Sequence, residues 1–577
     1  MTVRVRRGWK PLAAATATAM VALTGAVLGG TPTGSAAPAL ACDTPTSIAD
    51  LAAHDPVHGL TVSSGVTPDP FTGEVLGVLK DGIAPGVDMV MVRLTSTEID
   101  RVGGIWAGMS GSPVYAEDGT LIGAVAYGLA YGPSPVAGVT PYELMDDYLT
   151  PAPRVAVGER QAQRIAAATG VTAAQAEQGF RQLPMAGGVG GLSQSQLDKL
   201  TSIHNRRYLA KTAKAAPVGT SKAATSADIV AGGNLVYAAS YGDVNIAAVG
   251  TVTSVCGTEV VGFGHPATYT GHVTAALTPA DAVYIQEDPA WTPFKVANIA
   301  PPVGTISEDH RTGVTGEVGP VPDAFSVEAT ATYGARTRTG STDVFMQDYA
   351  PNATLYQIYY NQDRVVDQYL PGSEDASWTI TGTKPDSTPF SLQIGDRYRS
   401  TYDITDYAVW DPADLVYLLS QIEGVSIDSV VWNGTVSDSV TEWKVKGMEA
   451  KVGGAWVKIP ANGKVTAKAG TTLKLRALLT STMGDTTTAP IDVPVPAKLA
   501  GGSGRLRVIG GGDTYMSFWG DDTIDEILAT ADGYVRNDQV VVELDAGAKG
   551  GEVHKEFSSA AQDMVVEGHK NFRIVVK

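Results

Sequence analysis

The sequence predicts a mainly β protein, on three observations. Gly, Thr, Val and Tyr recur in short alternating runs. The candidate strands are brief and bounded by turn residues, the pattern of antiparallel β structure. The 577 residues are 44% hydrophobic and 18% charged, an ordinary globular balance with ample core. That length implies about three or four domains. A net charge of −18 argues against nucleic acid, and against an anionic membrane surface, as partner.

Taken in order, Arg4, Arg6, Arg7 and Lys10 precede an apolar run from Leu12 to Leu28, and small residues follow from Ser35 to Ala41. This is the layout of a secretory signal peptide over residues 1–41. An uncleaved N-terminal anchor is the second reading. A secreted or extracytoplasmic location follows, the cell surface included. The two cysteines, Cys42 and Cys256, are expected to pair in an oxidising compartment. Lipidation of Cys42 is the rival, weakened because Leu40 is not three positions before the cysteine.

Residues 42–150 read as a β-rich segment, with strands at Val75–Leu79 and Met89–Leu94. At its centre is Gly103-Gly104-Ile105-Trp106-Ala107-Gly108-Met109-Ser110-Gly111-Ser112-Pro113, followed by the apolar strand Thr120–Gly128. A hydroxyl is a weak nucleophile and has to be presented on a tight turn within reach of a base. The N–H groups of that turn then converge on the developing oxyanion. Gly-Ser-Pro clusters are also common in inert loops, and the chain has 65 glycines. Residues 151–230 change character: Gln161–Ala168 and Gln194–Leu200 look helical, Met185–Gly191 reads as a glycine-rich break, and Arg206, Arg207, Lys211 and Lys214 form a basic cluster. A solvated insertion or linker is the expectation there. Strands resume over 231–335, where Gly250-Thr251-Val252-Thr253 leads through a hairpin to Phe263-Gly264-His265-Pro266.

The run from Gly103 to Gly123 resembles the nucleophile segment of the stage IV sporulation protein B family of serine peptidases. In that family Gly-Gly-Ile, Gly-Met-Ser-Gly-Ser-Pro and Leu-Ile-Gly-Ala-Val follow one another as they do here. The approach to His265 resembles the family's histidine segment through Gly264, and Pro266 replaces its usual glycine. Gly304–Gly316 resembles the strand–turn–strand that follows. The resemblance implies a trypsin-like double β-barrel core over 42–335, with a helical insertion. It implies Ser110 as nucleophile, His265 as base, and the N–H groups of Gly108 and Ser110 as oxyanion donors. His272 and His310 are the nearest rival histidines. Two departures stand out. The serine segment precedes the histidine segment, which implies a circular permutation. The family's aspartate position aligns with Thr95, so the orienting carboxylate is missing or comes from elsewhere; Asp100, Asp243, Asp281 and Asp309 are the unranked candidates.

Beyond the core, 336–430 reads as a β-rich accessory region and 431–577 as a β-sandwich-like domain, with strands at Ala455–Pro460, Gly463–Ala467 and Thr471–Arg476 and an edge strand at Ile491–Pro496. Asp522–Ala531 reads as a helix capped by Asp521 or Asp522. The pairs Glu374-Asp375 and Asp521-Asp522 read as solvated loop residues. No metal spacing or phosphate loop is seen, so no cofactor is expected. The expected function is an exported serine endopeptidase with a protein or peptide substrate. The alternative is an inactive exported binding or scaffold protein that retains the fold.

Overall fold

A computed structural model describes residues 42–130, 132–145, 218–514 and 523–577, with parts of 162–214. The predicted signal peptide, Met185, Lys211, Asp521 and Asp522 lie outside the described residues. The chain from Cys42 to Lys577 is one compact unit. It is mainly β, and its core is a pair of closed six-stranded antiparallel barrels.

The first barrel is built from β1 (Pro56–Thr61), β2 (Asp69–Ala84), β3 (Val87–Thr95), β4 (Pro113–Ala116), β5 (Leu121–Leu129) and β6 (Val136–Pro141). Helix α1 (Thr97–Val102) follows β3 and ends at Gly103, whose φ of 80° makes the left-handed exit that glycine permits. The sheet order is β4-β1-β2-β3-β6-β5, and β4 pairs again with β5 to close it. β5 is buried along its whole length, which explains why it reads as a continuous apolar run. Ile122 and Val125 face the barrel interior with Val92 and Trp106. Ala126, Tyr127 and Leu129 belong to an outer cluster that includes Met89, Ala162 and Ile165.

Two strands from the expected insertion follow. β7 (Phe180–Gln182) adds to the edge of β5, and β8 (Ala186–Gly190) pairs with the second barrel. The predicted glycine-rich break at 186–190 is therefore a strand. Its glycines allow close backbone approach: a Cβ on Gly187 would lie 2.5 Å from the Ala247 carbonyl oxygen. Helix α2 (Gln194–Ile203) forms as expected. The described part of the segment is solvated on one side only, with Ser193, Gln194, Ser195, Asp198, Arg207 and Lys214 exposed as expected and its leucines turned inward. Leu197, Leu200 and Leu209 are buried in a large cluster, Arg206 pairs with Asp414 at 2.6 Å, and Tyr208 donates to Asp414 at 2.8 Å.

β9 (Val218–Thr220) leads into the second barrel. Its six strands are β10 (Asn234–Ala238), β12 (Asn245–Cys256), β13 (Glu259–Gly262), β14 (Gly271–Thr278), β17 (Gly304–His310) and β18 (Gly313–Val318), closed by β10 on β12. The short β11 (Ser240–Gly242) lies between β10 and β12. The hairpin β15 (Ala280–Gln286) and β16 (Phe294–Ile299) projects between β14 and β17. Cys42 and Cys256 are disulfide-bonded. The bridge ties the start of the described chain to the β12–β13 hairpin, while Thr44 and Thr46 bond to Leu121 of the first barrel. Both barrels are thereby clamped at one end.

The third sheet runs β11-β20-β19-β23-β21-β22, with β19 (Phe325–Tyr333), β20 (Arg336–Val344), β21 (Gly372–Thr383), β22 (Pro389–Ser400) and β23 (Ser426–Ser437). Helices α3 (Ala350–Val366) and α4 (Trp410–Ser420) pack in its core. The expected boundaries at 335 and 430 need correcting: the first cuts the β19–β20 hairpin, and the second falls inside β23. The region from 443 onward forms two five-stranded sheets around one core, a sandwich as expected. Its helix, Ile524–Asp532, is capped by Thr523 in a box with Glu526 rather than by an aspartate.

Glu374 is also corrected. It lies on β21, not in a solvated loop; its carboxyl is 1% exposed and has no hydrogen-bond partner among the described residues. Gly434 makes room for it. Burial pushes its pKa from 4.5 up to about 8. Between those values the folded chain keeps a proton that the unfolded chain has released, so this group makes stability fall as pH rises from 4.5 to 8. Glu374→Gln is expected to flatten that slope, measured by urea unfolding at about pH 5 and pH 8. Parallel slopes in the two proteins would refute the assignment.

Candidate active site

The loop that carries Ser110 connects α1 to β4. Met109 N–H donates to the Trp106 carbonyl at 3.0 Å and Ser112 N–H to the Met109 carbonyl at 3.0 Å, folding the loop into consecutive turns. Gly111 N–H donates to Val125 of β5 at 2.7 Å. The second barrel secures the same loop from the other side. Thr251 N–H donates to the Ser110 carbonyl at 2.8 Å, and its hydroxyl donates to the Gly108 carbonyl at 3.0 Å. The Thr253 hydroxyl donates to the Gly111 carbonyl at 2.8 Å. Before the loop, Ala107 bridges to β16: its N–H donates to Pro293 and its carbonyl accepts from Lys295 N–H. Lys295 is itself fully buried, with Nζ donating to Asn234 at 2.7 Å, and burial holds its pKa down to about 7.

His265 follows β13. Phe263 and Gly264 both have φ of 67°, which turns the chain sharply at the strand end. The Gly264 carbonyl accepts from the Thr140 hydroxyl of β6 at 2.6 Å, which docks the histidine turn on the first barrel.

The two segments converge. Ser110 Oγ lies 2.8 Å from His265 Nε2, although 155 residues separate them. Both side chains are buried, Ser110 at 2% exposure and His265 at 0%. His265 Nδ1 lies 2.8 Å from the carbonyl oxygen of Pro266, which can only accept. A proton on Nδ1 would go to that carbonyl and leave the Nε2 lone pair to the Ser110 hydroxyl, whereas the Gln182 amide nitrogen, 2.9 Å from Nδ1, can only donate and favours the opposite tautomer. Burial lowers the His265 pKa to about 4, while the Pro266 carbonyl and the Asp309 charge oppose the shift. The imidazole is consequently neutral at pH 7, the state a base requires. The N–H groups of Gly108 and Ser110 carry no hydrogen bond among the described residues, and Gly108 has φ of 98°.

No carboxylate is bonded to His265 among the described residues, and none of the four candidate aspartates reaches it. Asp309 comes nearest in effect. It is fully buried, but its oxygens accept from the N–H groups of Ala267, Thr268 and Tyr269 and from the Thr268 hydroxyl, at 2.6–2.8 Å. It pins the loop after His265 and acts on the imidazole only through its field. Asp100 pairs with Thr95, and Asp243 with Arg338. Asp281 stands on β15 opposite Asn298. The rival histidines His272 and His310 both turn to Glu308. What lies beside Nδ1 instead is Gln182 of β7, its amide nitrogen 2.9 Å away and donating to the Pro266 carbonyl at 3.0 Å.

Compared with protein-family models, curated proteins and solved structures, the chain has no match. The chemistry of the site rests on its geometry alone. Gln182, the Pro266 carbonyl, Thr251 and Thr253 went unseen in the sequence. A carbonyl has no residue signature, and Gln182 belongs to the segment that reads as solvated. Thr251 and Thr253 do stand in the Gly-Thr-Val-Thr run, whose alternation points both hydroxyls to one face.

Proposed function

We propose that this chain is an exported serine endopeptidase. Ser110 Oγ attacks a peptide carbonyl while His265 Nε2 takes its proton. The Gly108 and Ser110 N–H groups hold the resulting oxyanion. The imidazolium then protonates the leaving amine, the C–N bond breaks, and an acyl-enzyme on Ser110 remains. Water, deprotonated by His265, attacks that ester and releases the acid. The observation that carries this reading is the 2.8 Å contact between Ser110 Oγ and His265 Nε2 at the junction of the barrels. The signal-peptide pattern and the disulfide support export, and the resemblance to the sporulation peptidase family supports the same roles.

A second reading, a scaffold that keeps the fold, is favoured by the carbonyl at Nδ1 where a carboxylate would compensate the imidazolium. A fluorophosphonate probe separates the two. Covalent labelling of Ser110, located by mass spectrometry and lost in Ser110→Ala and His265→Ala, is the expected result. A folded chain that stays unlabelled after prolonged incubation, with Leu183→Gly in place as well, is a scaffold.

A further inference from the structure

β5 is paired twice along one edge. Its first half, to Ala124, pairs with β4; its second half, Tyr127–Leu129, pairs with β7. The change-over falls beside the nucleophile loop, where Gly111 bonds to Val125. Without β7, the stretch Ala126–Leu129 is an open strand edge running away from Ser110. An extended peptide adds to such an edge through its backbone, and its alternate side chains enter pockets.

The chain's own segment is laid there. Gly128 lies opposite Arg181 and Tyr127 opposite Gln182. Leu183 continues the pairing, its N–H donating to the Ala126 carbonyl at 3.0 Å. The Leu183 side chain is 2% exposed. It packs on Ile105, in the run that leads to the oxyanion donors, and over Gly128, where a Cβ would come within 2.9 Å of Leu183 Cδ2 and 3.4 Å of Ile105 Cδ1. One residue earlier, Gln182 covers Nδ1 of His265. The segment thus touches the strand edge, an apolar pocket beside the nucleophile loop, and the base. These are the contacts a peptide must make to deliver a carbonyl to Ser110.

We propose that Phe180–Leu183 is a built-in occupant of the substrate groove, with Leu183 in the pocket that selects the residue before the scissile bond. The groove then takes extended peptides with an aliphatic side chain at that position, and Ile105 and Gly128 set the preference. The occupant also explains the near-complete burial of Ser110 and His265. β7 is only three residues long, so a competing peptide has a short pairing to displace. This inference rests on the peptidase reading, but its test does not need turnover.

The full chain carrying Ser110→Ala, and the same chain with Leu183→Asp added, are titrated with a dye-labelled Phe-Arg-Gln-Leu amide by fluorescence polarisation. A buried carboxylate in an apolar pocket expels the strand, so the double variant is expected to bind at least about tenfold more tightly. Replacing the peptide's leucine by lysine is expected to lose at least about tenfold, because an ammonium has no partner in the pocket. Leu183→Gly, which empties the pocket without adding charge, gives the same comparison if the charged variant does not fold. Equal affinity for the occupied and emptied chains, or equal affinity for the two peptides, overturns the proposal. Binding that holds while Leu183→Asp with Ser110 intact never hydrolyses the peptide's anilide overturns the peptidase reading and leaves the groove standing.

Discussion

Replacing Ser110 with alanine is expected to lower hydrolysis of an aliphatic peptide anilide by only about 10²-fold, not the roughly 10⁶-fold of a complete triad. The comparison is made in the Leu183→Gly chain, where the groove is emptied. The reasoning follows from non-additivity. In a complete triad, losing serine or histidine costs about 2 × 10⁶ in kcat and losing the carboxylate alone about 3 × 10⁴, so a serine–histidine pair without its carboxylate retains roughly 10² over the oxyanion donors. Here Nδ1 meets the Pro266 carbonyl at 2.8 Å. That carbonyl can accept a proton from Nδ1, but it adds no negative charge. When His265 takes the serine proton, the cation forms in a buried site with Asp309 as the nearest compensation acting at a distance. A loss near 10⁶ would mean that a carboxylate reaches Nδ1 in the working state. No loss would remove Ser110 from the chemistry.

The pair itself was legible because each member is announced locally. Ser110 stands in a run whose glycines and proline suit one kind of turn, and His265 ends a strand pair of recognisable pattern. The rest depended on long-range packing. Barrel closure is decided by β4 on β5 and β10 on β12, pairings that no single segment displays. The boundary near 335 was misplaced because the tight turn between Tyr333 and Arg336 looks like a break, while the register that keeps β19 with β20 and β23 is not local. The stretch from 180 to 209 reads as solvated because its outward positions, such as Ser193, Ser195, Asp198 and Arg207, are polar and exposed, while the leucines between them are few and widely spaced. Its anchors are Leu183, Leu192, Leu197, Leu200 and Leu209, and Arg206 pairs with Asp414, more than two hundred residues later. Glu374 did leave a signal: it alternates with Ala376, Trp378 and Ile380, all buried.

Gly111→Ala is expected to destabilise the two-barrel core by about 3 kcal/mol or more and to abolish labelling of Ser110. Two separate penalties coincide at this residue. Its φ of 97° is disfavoured for any side chain, and a Cβ would come 1.9 Å from the Thr251 carbonyl oxygen and 2.6 Å from the Phe263 nitrogen. Both obstacles are backbone atoms of the second barrel, so no rotamer change relieves the contact. The barrels would have to separate at the point where Thr251 and Thr253 bond to the loop that carries Ser110. That displacement carries Ser110 Oγ away from His265. Gly119→Ala supplies the control. Its φ of 85° is similar, yet no atom lies within 4 Å of the added Cβ, so it is expected to cost only about 1 kcal/mol and to leave labelling intact. Chemical denaturation of the two variants, read beside fluorophosphonate labelling, decides the matter. Equal losses in both would show that the positive φ alone matters, and that the close approach of the barrels at Gly111 does not hold Ser110 against its base.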